Sequence, residues 1–85
     1  MAGPAYMRVL SEQELGLLRH ELSLSSRQTE IARLISRGMS DRQIAEQLGI
    51  SFGTVRTHMS RLFQKCNVDN RLQLLAQVYG RLHTP

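Results

Sequence analysis

Hydrophobic residues recur at helical spacing along most of the chain, and a residue able to cap a helix precedes each periodic stretch. Such a side chain accepts a hydrogen bond from the first helical turn. The candidate N-cap residues are Ser11, Ser25, Ser40, Ser51 and Asn70. Three residues after every cap except Ser51 stands Glu or Gln, which is the capping-box pattern. No stretch alternates as a β-strand would. The pattern therefore predicts five helices.

One side of each predicted helix is apolar and can face a common core. The predicted core residues are Leu15, Leu18, Leu22, Ile31, Leu34, Ile35, Ile44, Ala45, Leu48, Val55, Met59, Leu62, Phe63, Cys66, Leu74, Leu75, Val78 and Leu82. Gly38 and Gly49 follow the second and third stretches, and a glycine in the left-handed conformation commonly ends a helix.

The third and fourth predicted helices are joined by only Gly49 and Ile50. Ala45, Gly49 and Val55 have the spacing of a helix-turn-helix. The alanine lets the helices approach, the glycine takes the positive φ of the turn, and the valine packs the second helix onto the first. We therefore predict an all-α fold: a four-helix helix-turn-helix bundle with an additional N-terminal helix.

Length and composition narrow the classes of function. A chain of 85 residues with 41% hydrophobic residues fits one small domain. One cysteine excludes an internal disulfide. No apolar run reaches the roughly 18–20 residues of a membrane span, and the N-terminus lacks a signal-peptide pattern. We expect a cytoplasmic protein with no membrane partner. Neither a deep pocket nor a nucleophile-and-base motif is indicated, so we expect no enzymatic activity.

The charge is uneven and favours a polyanionic partner. The formal net charge is +4, and residues 27–85 hold nine Lys and Arg against four Asp and Glu. No acid occurs between Gln47 and Val68. The polar side of the fourth helix combines arginine near its start with small hydroxyl residues, which suits the major groove of DNA. This side comprises Gly53, Arg56, Thr57, Ser60, Arg61 and Gln64.

The segment 24–82 resembles the DNA-binding domain of LuxR/FixJ/NarL-type regulators. The matching residues are Leu24, Ser25, Arg27, Glu30, Gly38, Ser40, Ile44, Ala45, Ile50, Ser51, Thr54, Val55, Arg56, Thr57, His58, Val68, Asn70 and Arg71. The resemblance implies a scaffold helix, a positioning helix, a recognition helix and a dimerising helix. We accordingly predict a lead-in with an extra helix (1–23), the DNA-binding domain (24–82) and a tail (83–85).

The resemblance implies sequence-specific binding to double-stranded DNA by a transcription regulator. It places Arg56 and Thr57 at base-reading positions. It places Thr54, Ser40 and Arg42 against phosphates. The full predicted DNA-binding set is Ser40, Arg42, Thr54, Arg56, Thr57, Ser60, Arg61, Gln64 and Lys65.

Two residues depart from the family pattern. Ser60 stands where the family often has a basic residue. Phe52 replaces the polar residue that usually follows the cap, and it could meet a thymine methyl or cover the domain surface.

Leu72, Ala76 and Tyr79 form a second apolar stripe on the last predicted helix. We interpret this stripe as a partly exposed dimer contact, which the resemblance supports, and the alternative is a broad core face. A weak homodimer that strengthens on an inverted-repeat site is expected. RNA polymerase is a candidate protein partner.

The remaining candidate residues favour structural roles. His58 borders the apolar stripe and is expected to be half-buried, and Cys66 is expected to be an inert core residue. No histidine or cysteine pair has metal-ligand spacing, so we predict no metal and no cofactor. Glu30 and Arg71 are candidates for an ion pair across the bundle.

Two alternatives to a LuxR-type regulator remain open. A sigma-factor promoter-binding module shares much of the pattern, although the capped helix after Asn70 argues against it. The other is a protein-interaction module that has lost DNA binding, such as a heterodimer partner that inhibits a full-length regulator. Ser60 and Phe52 favour that possibility.

Overall fold

The computed structural model describes residues 9–83, and within this range it contains helices and no strand. The helices are α1 (Glu12–Glu21), α2 (Ser26–Ser36), α3 (Asp41–Leu48), α4 (Phe52–Cys66) and α5 (Arg71–His83). The predicted all-α fold with an additional N-terminal helix is confirmed. The predicted lead-in at 1–8 and the end of the tail at 84–85 lie outside the described residues.

The capping signals in the sequence determine where the helices begin. In α1, α2 and α3 the N-cap serine accepts from the N3 backbone N–H, and the N3 side chain accepts from the N-cap N–H. These reciprocal bonds satisfy N–H groups that a helix start leaves without partners. At α5, Asn70 Oδ1 accepts from the Gln73 N–H at 2.9 Å. The Gln73 side chain accepts from the Asp69 N–H at 2.8 Å, one residue earlier than in a capping box.

The core forms around α4, which packs against α2, α3 and α5, while α1 packs against α2. Most of the predicted core residues are buried, and Leu22, Leu48 and Phe63 are partly buried against them. Burying one leucine or isoleucine side chain contributes roughly 1.5–3 kcal/mol. The side chain of Leu82 lies outside the described part of the chain.

Tyr79 corrects the predicted exposed stripe on α5. Its residue surface is only 2% exposed, and it belongs to the main hydrophobic core. The physical reason is that Tyr79 lies four residues after Leu75, so both side chains emerge on nearly the same side of the helix. The alternative of a broad core face is therefore correct at this position, and only Leu72 and Ala76 of the predicted stripe are exposed.

Residues in the left-handed conformation separate the helices around α4. Gly49 has φ 66° and forms the predicted turn between α3 and α4, and Gly38 has φ 80° after α2. Asn67, with φ 58° and ψ 46°, ends α4. The sequence analysis did not identify Asn67, although asparagine is one of the few residues that adopt this conformation readily.

The predicted ion pair between Glu30 and Arg71 is wrong. Glu30 Oε1 lies 3.4 Å from Arg27 Nη1, and both residues belong to α2. Arg71 instead contacts the loop before α3 and the first turn of α3, where Asp41 and the Met39 carbonyl accept its hydrogen bonds. Spacing along one helix favours the local Arg27–Glu30 pair, whereas a pair between helices depends on how the bundle packs.

Candidate nucleic-acid interface

The start of α3 and the exposed side of α4 bring most of the predicted DNA-binding residues onto one surface. Gly49 and Ile50 make the connection so short that the two helices pack directly against each other. A shallow depression along α4 is lined by side chains of the predicted set, namely Arg56, Thr57, Ser60, Arg61 and Gln64. All five residues are exposed, so this surface is accessible to a large ligand.

Arg56 is held at this surface by an acid from the neighbouring helix. Its Nη1 lies 3.2 Å from Asp41 Oδ2, and its side chain remains 65% exposed. The other carboxylate oxygen, Asp41 Oδ1, accepts a hydrogen bond from Arg71 Nη2 at 2.6 Å. Asp41 occupies the first helical position of α3, where the helix macrodipole favours a negative charge. A base-reading candidate is thus tied to the start of α3 and to α5.

The ring of Phe52 lies close to two arginines of the predicted DNA-binding set, Arg42 and Arg56. The guanidinium carbon of Arg42 is 5.1 Å from the centre of its ring, and that of Arg56 is 5.9 Å away. These distances are within the range of attractive cation–π contacts. Although Phe52 is 42% exposed, its ring supports Arg42 and Arg56. Contact of the Phe52 ring with a thymine methyl, the other role considered for this residue, stays a prediction.

Three hydroxyl groups of the interface make hydrogen bonds within their own helix. The Ser40 hydroxyl accepts from the Gln43 N–H at the start of α3, and the Thr54 hydroxyl lies 2.8 Å from that of Ser51 at the start of α4. The Thr57 hydroxyl donates to the Gly53 carbonyl at 3.1 Å. A hydroxyl oxygen that donates its proton still has lone pairs with which to accept. Thr57 can therefore accept from a base amino group while its position is fixed.

Lys65 does not line the depression along α4, and its side chain has a structural partner. Its Nζ donates to the Ser23 carbonyl at 2.5 Å and lies 3.4 Å from Gln28 Oε1. Ser23 follows α1 and has φ 53°, so the lysine stabilises the irregular connection between α1 and α2. Sequence position could not reveal this contact, because the two residues are brought together only by the packing of α2 against α4.

The two remaining residues proposed for structural roles lie on the inner side of α4. His58 is partly buried, as predicted, and Cys66 is 2% exposed. Burial raises the pKa of the Cys66 thiol, and the positive charges of Arg81 and Lys65 oppose this shift. The thiolate is the reactive form, so this environment lowers the reactivity of Cys66.

Among the side chains described between residues 9 and 81, no three His, Cys, Asp or Glu residues come close enough together to hold a metal ion. None of the helices described for this chain has the length and apolar character needed to cross a membrane.

Two helices joined by a tight glycine turn, with a basic exposed surface on the second, define a helix-turn-helix DNA-binding domain. Comparison with known families identifies the type. Residues 22–78 match the family described as bacterial regulatory proteins, luxR family, and the chain belongs to this family. The predicted resemblance is confirmed. The chain therefore carries the DNA-binding domain of a transcription regulator.

Curated relatives support the same family. The chain is 38% identical over 80 residues to the transcriptional regulatory protein LiaR of Bacillus subtilis, covering 94% of this chain and 36% of the relative. It is 38% identical over 56 residues to the monoamine regulon transcriptional regulator of Klebsiella aerogenes (66% and 25%). It is 43% identical over 51 residues to the two-component response regulator PprB of Pseudomonas aeruginosa (60% and 18%).

The chain thus spans about a third or less of the length of these relatives. No solved structure matches it.

Asp41 is the residue of this surface that the sequence analysis missed. It was counted only as one acid in a basic segment. The short connection is a signal for this contact, since two helices joined by a tight turn cross and pack against each other. An acid at the first position of α3 is therefore within reach of an arginine in the first turns of α4, as Asp41 and Arg56 show.

Proposed function

We propose that this chain binds double-stranded DNA sequence-specifically, with α4 in the major groove and the start of α3 against the phosphate backbone. The observation that supports this proposal most strongly is the arrangement of exposed side chains along α4. Arg56, Thr57 and Arg61 line one depression, and no acid occurs in α4 itself. Major-groove recognition needs donors for guanine, short polar side chains, and no negative charge that repels phosphate.

The place of each residue on α3 or α4 determines the role that we propose for it in DNA binding. Arg56 has the length and the exposed donors to bind the O6 and N7 atoms of guanine, and Thr57 lies beside it. Arg42, Ser40 and Thr54 stand at the helix starts, where backbone N–H groups and the macrodipole favour a phosphate. Ser60, Arg61 and Gln64 continue the surface along α4. Lys65 makes its contribution to the fold rather than to DNA, because Ser23 holds its ammonium group.

The test compares a base-reading residue with a phosphate-binding one. A duplex selected by the parent protein from random DNA is compared with a scrambled duplex of equal length at several salt concentrations. Arg56→Ala is expected to lose about 1–3 kcal/mol on the selected duplex and far less on the scrambled one. Arg42→Ala is expected to weaken both similarly and to reduce the salt dependence. Equal losses from Arg56→Ala on both duplexes would contradict base reading by Arg56.

We also propose that two chains bind an inverted repeat, with α5 at the contact. Leu72 is 58% exposed on α5, and Ala76 is exposed one turn later, so a small apolar surface is available to a second copy. Tyr79 was predicted to join this contact, but it is buried in the core, so the proposed contact consists of Leu72 and Ala76. A surface this small favours weak association that DNA strengthens, because adjacent half-sites raise the effective concentration.

A gel-shift titration on half-site and full-site duplexes tests this second proposal. Ala76→Glu places like charges near the two-fold axis and is expected to abolish cooperative binding to the full site. Binding to the half-site is expected to persist, because α4 is unchanged. Gln13→Glu, at an exposed position of α1, adds the same charge away from α5 and is the matched control. Unchanged cooperativity in Ala76→Glu would place the dimer contact elsewhere.

We propose that the protein regulates transcription in the cytoplasm and uses neither cofactor nor catalytic chemistry. Its relatives carry names of transcription regulators, and the residues along α4 include no nucleophile paired with an activating base. Absence of any salt-dependent DNA binding in the selection experiment would instead favour a protein-interaction module that has lost DNA binding.

A further inference from the structure

We propose that Asp41 is a specificity-determining positioning residue, which holds Arg56 in the orientation that binds a base and away from random phosphates. This inference rests on the proposed function, since it concerns how Arg56 discriminates between sequences. It assigns a role on the DNA-binding surface to an acid, the charge type that DNA repels.

The carboxylate of Asp41 is itself firmly placed. Its side chain is only 18% exposed, and each of its two oxygens contacts a different arginine. Arg71 donates through Nη2 to Asp41 and through Nη1 to the Met39 carbonyl, both at 2.6 Å. Arg71 thus anchors Asp41 from α5. The macrodipole of α3 adds a further favourable interaction with the carboxylate.

Arg56 is restrained, but most of its hydrogen-bond donors remain available to DNA. Asp41 engages only Nη1, and the ring of Phe52 lies 5.9 Å from the guanidinium carbon. A guanidinium has five N–H donors in a planar fork. With one nitrogen on Asp41, the others can still donate to two acceptors of one base. A guanidinium that is already restrained loses less conformational entropy on binding than a mobile guanidinium does.

The same contact discriminates against unspecific DNA. To contact a phosphate instead of a base, Arg56 must separate from Asp41. The carboxylate of Asp41 then lies without this partner, close to the negatively charged phosphates of the DNA. Binding to a matched base requires no such separation. Asp41 therefore favours the specific complex and disfavours the unspecific one, and both effects raise the ratio of the two affinities.

The experiment measures that ratio at one fixed salt concentration, on the selected and the scrambled duplex. Asp41→Asn is expected to lower the ratio about two- to fivefold, the size typical of a partly exposed ion pair. In the Arg56→Ala background the same substitution is expected to leave the ratio unchanged, because Asp41 acts through Arg56. Glu46→Gln removes one negative charge from an exposed position of α3 and is the matched control.

Folding is checked by circular dichroism at the binding temperature. Asparagine is tolerated in a first helical turn, and the Met39 carbonyl still binds Arg71. Asp41→Ser is the second variant and is expected to give the same fall in ratio.

The outcomes separate this inference from the proposed function. Equal changes on both duplexes in Asp41→Asn, as in Glu46→Gln, would show that Asp41 contributes only its charge and would overturn the inference. A fall in ratio that persists in the Arg56→Ala background would overturn it as well. If Arg56→Ala alone leaves the ratio unchanged, base reading by Arg56 fails and this inference fails with it. A fall in the affinity ratio that occurs only when Arg56 is present supports both the proposed function and this inference.

Discussion

The two ends of α4 each carry a positively charged side chain, but the two side chains have different surroundings. Arg56 lies in the early turns and Lys65 in the last turn. Arg56 is 65% exposed and paired through one nitrogen, whereas the Lys65 ammonium is bound to the Ser23 carbonyl. Left-handed residues occur near both ends, with Gly49 three residues before the helix and Asn67 directly after it. We therefore expect the basic residues of this acid-free segment to contribute unequally to DNA binding.

The first prediction tests the turn that sets the start of α4. Gly49→Val is expected to lower the free energy of unfolding by about 1–3 kcal/mol, because a β-branched residue is strained at positive φ. No heavy atom lies within 4 Å of a Cβ built at Gly49, so backbone strain rather than a steric clash is responsible. Urea denaturation measures the effect. Gly49→Asn is the control and is expected to lose less, and equal losses from both substitutions would contradict this explanation.

A second prediction separates the two kinds of basic residue. Arg61→Met is expected to reduce the slope of log affinity against log salt by about 1, as loss of one phosphate contact does. Lys65→Met is expected to leave that slope unchanged and to lower the free energy of unfolding by about 0.5–1.5 kcal/mol, the range for one hydrogen bond. If both substitutions reduce the salt slope equally, Lys65 contacts DNA as Arg61 does, and this prediction is wrong.

The smallest effect is expected at the other end of the helix. Asn67→Gly should change the free energy of unfolding by less than about 0.5 kcal/mol, because glycine fits the left-handed conformation but gains entropy when unfolded. Urea denaturation is expected to show that Asn67→Val is clearly more destabilising, because a β-branched residue is strained at positive φ. If valine is tolerated as well as glycine, the left-handed cap does not determine where α4 ends.

Local chemistry explains what could be predicted from the sequence. The helix starts follow from serine or asparagine caps, and the turn follows from Gly49, because these features depend on residues a few positions apart. The apolar stripes identified most of the core for the same reason. The exposed residues Arg56, Thr57 and Arg61 followed from helical periodicity on α4.

Contacts between distant segments could not be predicted in this way. The Arg71–Asp41 pair, the Lys65–Ser23 contact and the burial of Tyr79 all depend on the packing of helices. Periodicity shows which direction a side chain leaves its helix but not which neighbour it meets. Phe52 was open to two interpretations for this reason, and the positions of Arg42 and Arg56 around its ring became visible only in the fold.

We infer that the start of α3 and the exposed side of α4 contact DNA, whereas Lys65 in the last turn of α4 stabilises the fold. Backbone amide chemical shifts measured during titration with a half-site duplex test it most directly, since a half-site avoids changes from dimer formation. We expect the largest shift changes in residues 40–42 and 52–61 and small changes in residues 65–67, which include Lys65. Changes in residues 65–67 as large as those in residues 52–61 would show that this end of the helix also contacts DNA.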